Sequence, residues 1–206
     1  MLDRLRGRLA SLLASVGGVF ARFEGSPAAW TGVGVVLSLL AAYSYGSGGY
    51  RGEALAGILV LVSGWFDIVD GAVARVTGRT SARGAFLDST LDRVAEVALF
   101  AGILVGGYAD PVWVLLALSF SLLVSYTRAK GDALGVKLAG VGIGERSERL
   151  LILSITSLAG VVQWGVLIVL AVALFTFLER SFTAARALGG AREPKDISTQ
   201  SGAASP

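Results

Sequence analysis

Residues 66–92 read FDIVDGAVARVTGRTSARGAFLDSTLD and place Asp67, Asp70, Asp88 and Asp92 close together in a chain that is otherwise strongly apolar. Asp67, Asp70, Gly71, Ala74 and Arg75 follow at i, i+3, i+4, i+7 and i+8, which on a helix is one face. Asp88 and Asp92, at i and i+4, share a face of the next helix. The connection between them is short, so the two helices are expected to be antiparallel neighbours with converging aspartates. Four ionised carboxylates do not gather in a low-dielectric setting without a cation. The bland alternative is a set of helix-end aspartates paired with Arg75, Arg83 and Arg93. Charge inside a membrane helix is costly enough to favour function over that alternative for Asp67 and Asp70.

The surroundings decide the solvent. The chain has 206 residues, 54% of them hydrophobic and 16% charged, with a mean hydropathy of +0.70. A soluble domain carries about 25% charged residues. The fold class expected is therefore an all-α integral membrane protein. There is no Cys and no His. Disulfides, thiolate nucleophiles, imidazole bases and zinc–thiolate sites are excluded, and any general base is a carboxylate, Lys or Tyr. Oxygen ligands alone favour Mg²⁺, Mn²⁺ or Ca²⁺.

Six apolar stretches are expected as membrane helices, near 29–47, 53–75, 85–107, 110–130, 148–162 and 163–185. Gly160, Gln163 and Gly165 mark the expected turn between the last two. Basic residues collect before the first stretch (Arg4, Arg6, Arg8, Arg22), between the second and third, between the fourth and fifth, and after the sixth, while the opposite loops hold only Arg51. The positive-inside rule then puts both termini in the cytoplasm of a multi-pass cell-membrane protein. Three regions follow: an interfacial amphipathic helix at 1–25, with Leu2, Leu5, Leu9 and Leu12 at helical spacing, a six-helix bundle at 26–188, and a polar, disordered tail at 189–206.

The pattern Asp67-x2-Asp70-Gly71-x2-Ala74-Arg75-x8-Gly84-x3-Asp88-x3-Asp92 resembles the signature of the CDP-alcohol phosphotransferase family at all eight fixed positions. The six-helix layout is similar too, so the resemblance covers most of the chain. It implies two divalent cations, Mg²⁺ or Mn²⁺, among Asp67, Asp70, Asp88 and Asp92, with Asp92 also the base that deprotonates the acceptor hydroxyl. It implies that Asp67, Asp70, Gly71, Ala74, Arg75 and Gly84 bind the CDP-lipid, whose lipid-side phosphorus is attacked with release of CMP. Members often carry Pro-Asn or Pro-Asp before the first span, whereas here Ala28 follows Pro27.

A second cluster bears on the acceptor. Ser125-Tyr126-x-Arg128-x-Lys130, followed by Glu145-Arg146-x-Glu148-Arg149-Leu150, resembles the branch of that family that uses inositol phosphate. The resemblance implies that Arg128, Lys130, Arg149 and Arg180 hold the phosphate of inositol 1-phosphate. The lipid partner is then CDP-archaeol or CDP-diacylglycerol, and a homodimer in membrane lipid, without nucleic acid, is the expected state. The same chemistry with glycerol 3-phosphate or serine as acceptor is the nearer rival. A divalent-cation transporter is the farther one: it calls for carboxylates near mid-membrane and usually an internal repeat, and the chain shows neither a repeat nor acidic residues in the fourth to sixth stretches that could continue a path.

Overall fold

The computed structural model describes residues 27–78 and 81–189. The expected interfacial helix at 1–25 and the polar tail from 190 lie outside these residues. Six helices run in order: α1 (Pro27–Gly46), α2 (Gly49–Thr77), α3 (Ala82–Val105), α4 (Pro111–Ala133), α5 (Arg146–Leu158) and α6 (Val162–Gly189). Each expected stretch has its helix, with ends displaced by up to about one turn.

Local chemistry explains the ends. Ser81 caps α3, its hydroxyl accepting from the Gly84 N–H at 3.0 Å. Asp110 caps α4 by accepting from the Val112 N–H at 2.8 Å, with Pro111 at the first helical position. The Glu148 carboxylate accepts from the Glu145 N–H at 2.9 Å at the start of α5. Gly78 closes α2 in the left-handed region at φ 63°. At the start of α6 the Val162 N–H donates to the buried Glu53 carboxylate of α2, 2.7 Å away.

Two expectations are corrected. The turn between α5 and α6 is made by Gly160, at φ 71°, whereas Gln163 and Gly165 lie inside α6. Gly165 serves packing: a Cβ there would stand 2.1 Å from Thr156 Oγ1 of α5. The second correction concerns α2 and α3. They make little contact with each other, and α1 packs along both. Small side chains on α1 permit this. A Cβ on Gly34 would meet the Asp67 carboxylate at 3.3 Å, Ser38 and Ser63 share a 2.7 Å hydroxyl contact, and Gly102 of α3 lies against the Ala42 backbone of α1.

Four helices, α1, α2, α4 and α6, are long and apolar enough to cross a bilayer. Helix α3 has the length, but it carries Arg83, Asp88, Asp92, Arg93 and Glu96. Helix α5, with 13 residues, is about 20 Å long, short of the roughly 30 Å of hydrocarbon. The core joins Val60, Leu99, Phe100, Ile103, Leu153, Val166 and Val169, while Leu, Val, Trp and Phe side chains cover much of the outside. That outer surface suits lipid rather than water.

Gly102→Ala tests the α1–α3 contact. Its Cβ would meet three backbone atoms of Ala42 between 2.3 and 2.9 Å, and backbone does not yield as a flexible side chain does. A loss of about 1–3 kcal/mol is expected, read as a lower thermal midpoint of the purified protein. Gly32→Ala, with open space around it, should leave the midpoint near that of the parent.

Candidate active site

A cavity of about 730 Å³ opens among α2 to α6. Asp67 of α2 and Asp92 of α3 form an acidic wall, and Arg128, Arg149 and Arg180 from α4, α5 and α6 form a basic one. Apolar side chains such as Val60, Leu61 and Leu150 complete the lining. This union of phosphate-seeking cations with cation-seeking carboxylates in one chamber is what two phosphorylated substrates require.

Arg146, the first residue of α5, stands between the walls. One guanidinium nitrogen pairs with Asp67 and is 2.9 Å from an Asp92 oxygen. Arg93 approaches Asp92 at 3.4 Å from the other side. Set between two carboxylates, the guanidinium is a permanent charge.

The other aspartates lie nearby. Thr31 of α1 donates to Asp70 at 2.7 Å, and Asp70 is buried at 8% exposure. Asp88 is partly exposed one turn before Asp92, and its charge acts on Asp67, Asp70 and Asp92. Arg146 joins Asp67 of α2 to Asp92 of α3, whereas Asp70 and Asp88 are not in the cavity wall, and α2 and α3 do not pack directly on each other.

Gly71, Ala74, Gly84 and Lys130 are not in the cavity wall. Gly84 is at the capped start of α3, where a Cβ would stand 3.0 Å from Ser81 Oγ. Arg75 belongs to α2 by its backbone, and its side chain lies outside the described residues. Lys130 is exposed in the last turn of α4.

Arg149 and Arg180 line the cavity but are also firmly held. Arg149 is 1% exposed. Its Nε and one terminal nitrogen donate to a single Glu96 oxygen at 3.0 and 2.8 Å, and its other terminal nitrogen donates to the Gly144 carbonyl. Arg180 donates to the carbonyls of Val141 and Val124, at 2.9 and 3.1 Å, and stands 3.4 Å from Glu145. Arg128 is the loosest, 3.8 Å from Glu145 and nearly half exposed. Sequence reasoning missed two participants, Glu96 and the bridging role of Arg146. Both carry a signal: Glu96 continues the Asp88–Asp92 face at i+8, and Arg146 precedes Arg149 by three.

A divalent cation fits the acidic wall on chemical grounds. Among the described residues no three carboxyl groups gather closely enough to share an ion as they stand. Yet Asp67 and Asp92 already enclose a cation, the Arg146 guanidinium, with hard oxygen donors.

Comparison with known proteins agrees with this geometry. Residues 26–178 match the family model for CDP-alcohol phosphatidyltransferase. The archaetidylinositol phosphate synthase of Pyrococcus horikoshii is 35% identical over 188 residues, covering 91% of this chain and 98% of that protein. The phosphatidylinositol phosphate synthase of Streptomyces avermitilis is 44% identical over 124 residues, 56% of this chain and 51% of that one. Among solved structures, Mycobacterium tuberculosis phosphatidylinositol phosphate synthase with CDP-DAG bound superposes with a TM-score of 0.72 at 25% identity, covering 84% of this chain and 94% of that one. A second crystal structure of that enzyme, in complex with manganese and citrate, gives 0.71 at 25% identity, covering 84% and 88%. Signature, chamber and relatives coincide, and the chain belongs to the CDP-alcohol phosphatidyltransferase family as a CDP-alcohol phosphotransferase.

Proposed function

We propose that the chain transfers the phosphatidyl or archaetidyl group of a CDP-linked lipid to a hydroxyl of inositol 1-phosphate and releases CMP. The observation that carries this reading is the single chamber with Asp67 and Asp92 on one side and Arg128, Arg149 and Arg180 on the other. The names of the relatives support inositol phosphate as acceptor. The lipid is CDP-archaeol or CDP-diacylglycerol. Two divalent cations, Mg²⁺ or Mn²⁺, would be held by Asp67, Asp70, Asp88 and Asp92. A solved relative in complex with manganese supports the use of a divalent ion. When bound, such ions neutralise charge on the pyrophosphate and on the leaving CMP.

The chain's own residues do the rest. Asp92 takes the proton of the acceptor hydroxyl. That oxygen forms a bond to the lipid-side phosphorus as the bond from this phosphorus to the CMP oxygen breaks. Gly71 and Ala74 keep the α2 face small beside the nucleotide, and Arg75 and Gly84 complete the CDP-lipid contacts that the signature implies. Arg128, Arg149 and Arg180, with Lys130 at the rim, orient the acceptor by its phosphate. Topology follows the same reading: six passes with both termini in the cytoplasm, supported by the distribution of Arg and Lys. The resemblance supports a homodimer.

CMP release from CDP-lipid with a panel of alcohols tests the acceptor. Inositol 1-phosphate should turn over, and free inositol should be poor because it leaves the basic wall unpaired. Arg180→Gln should raise the acceptor KM by at least about tenfold, the size of one charge-assisted contact. The KM for CDP-lipid should move far less. Exposed Lys137, in the loop before α5, is the control, and Lys137→Gln should change neither. Equal turnover of free inositol or serine would show that the basic wall serves topology alone. Exclusive use of glycerol 3-phosphate would keep the wall's role and overturn the acceptor.

A further inference from the structure

Arg146 differs from its basic neighbours in what it holds. Arg149 and Arg180 are each fixed by backbone carbonyls as well as by a carboxylate. The acceptors recorded for Arg146 among the described residues are Asp67 and Asp92. Its Nε is buried without a hydrogen-bond partner, although its side chain retains 15% exposure. A guanidinium built in only for stability would be expected to satisfy that donor. Arg146 is instead held at its tip, by two carboxylates from helices that touch each other little.

Its position offers a second place to go. Arg146 begins α5 and lines the same cavity as Arg128, Arg149 and Arg180. Its long side chain, rooted at the helix end, can turn from the acidic wall toward the basic one by rotamer change alone. A divalent ion on Asp67 and Asp92 would repel the guanidinium between them and take over its role.

We propose that Arg146 is a resident counter-cation: it neutralises Asp67 and Asp92 until a divalent ion displaces it, and the released guanidinium then positions the phosphate of the acceptor. The inference rests on the reading of Asp67 and Asp92 as ligands of a divalent ion. It makes metal loading and completion of the acceptor site one event. Acceptor phosphate meets its full set of donors only after the metal has bound, which favours metal and CDP-lipid entering first.

The test uses the full chain in lipid nanodiscs. Mn²⁺ binding is followed by the electron paramagnetic resonance signal of the free ion, in the parent protein and in Arg146→Gln, Arg146→Lys and Arg128→Gln. Arg146→Gln should bind Mn²⁺ about tenfold more tightly, since one charge-assisted contact no longer competes. Its KM for inositol 1-phosphate should nevertheless rise by about tenfold. A purely structural arginine would not move these two quantities in opposite functional directions. Arg128→Gln removes a charge from the same cavity without touching Asp67 or Asp92, and should leave Mn²⁺ affinity near that of the parent. Should Arg146→Gln not fold in chelator, Arg146→Lys serves: Mn²⁺ should raise its thermal midpoint more than it raises the parent's. Unchanged or weaker Mn²⁺ binding by Arg146→Gln, or equal thermal shifts for Arg146→Lys and the parent, overturns the proposal alone. Failure of every protein, the parent included, to bind Mn²⁺ overturns the carboxylate metal site and the proposal with it.

Discussion

Asp92→Asn is expected to lower kcat by about 10²- to 10⁴-fold, the usual contribution of a positioned general base. The substitution keeps the size of the side chain and removes the oxygen that would accept the hydroxyl proton. Asp92 stands inside the cavity, partly buried, with Arg146 at 2.9 Å and Arg93 at 3.4 Å. Neither arginine takes up a proton at neutral pH, so no neighbour among these replaces the lost base. CDP-lipid binding should survive, because Asp67 and Asp70 remain. Asp67→Ala or Asp70→Ala should instead weaken nucleotide binding together with turnover, since they sit on the α2 face assigned to the pyrophosphate metal. Single-turnover CMP release and equilibrium CDP-lipid binding separate the two classes. Near-parental turnover of Asp92→Asn would assign proton removal to another residue.

Excess EDTA should abolish CMP release, and Mg²⁺ or Mn²⁺ should restore it. The argument is the donor set. The chain contains no His and no Cys, and the acidic wall offers carboxylate oxygens, which are hard ligands. Without an ion, the pyrophosphate of a CDP-lipid would face Asp67 and Asp92 as like charges, relieved by arginine alone. The loss should therefore appear in CDP-lipid binding as well as in the chemical step, which direct binding with and without chelator resolves. Zn²⁺ should restore activity less well, because it favours nitrogen and sulfur ligands. Full turnover in excess EDTA would remove metal ions from the reaction.

What the sequence made legible was local. Helix periodicity placed Asp67 and Asp70 on one face and Asp88 and Asp92 on another, and the six apolar stretches fell where helices form. Faces of single helices are written in spacing. Which helices then pack is written in complementary small residues far apart in the chain, and Gly34, Ala42 and Gly102 announced no pairing. Hence α1 was not foreseen between α2 and α3. Arg146 was hidden for a different reason: it belongs to a loop region where topology alone accumulates positive charge, and only its carboxylate partners set it apart. Glu96 looked like part of an apolar span until Arg149, 53 positions away, was found on it. The expected turn at Gly165 failed because glycine permits close packing as readily as it permits a bend.

The α3–α5 connection is a ladder of two ion-pair rungs beside the apolar core that Leu99 and Leu153 share. Asp92 and Glu96, one turn apart on α3, face Arg146 and Arg149, one turn apart on α5. The upper rung keeps some exposure, whereas both side chains of the lower rung are 1% exposed, although Arg149 also lines the chamber. Solvent ions screen the upper rung and scarcely reach the lower. Opening the upper rung would therefore leave the buried Arg149–Glu96 pair tying α5 to α3, while α5 stays packed on α2 and α6. Because the desolvation cost of a buried ion pair falls as temperature rises, that pair gains weight on warming, when purely apolar contacts gain nothing further.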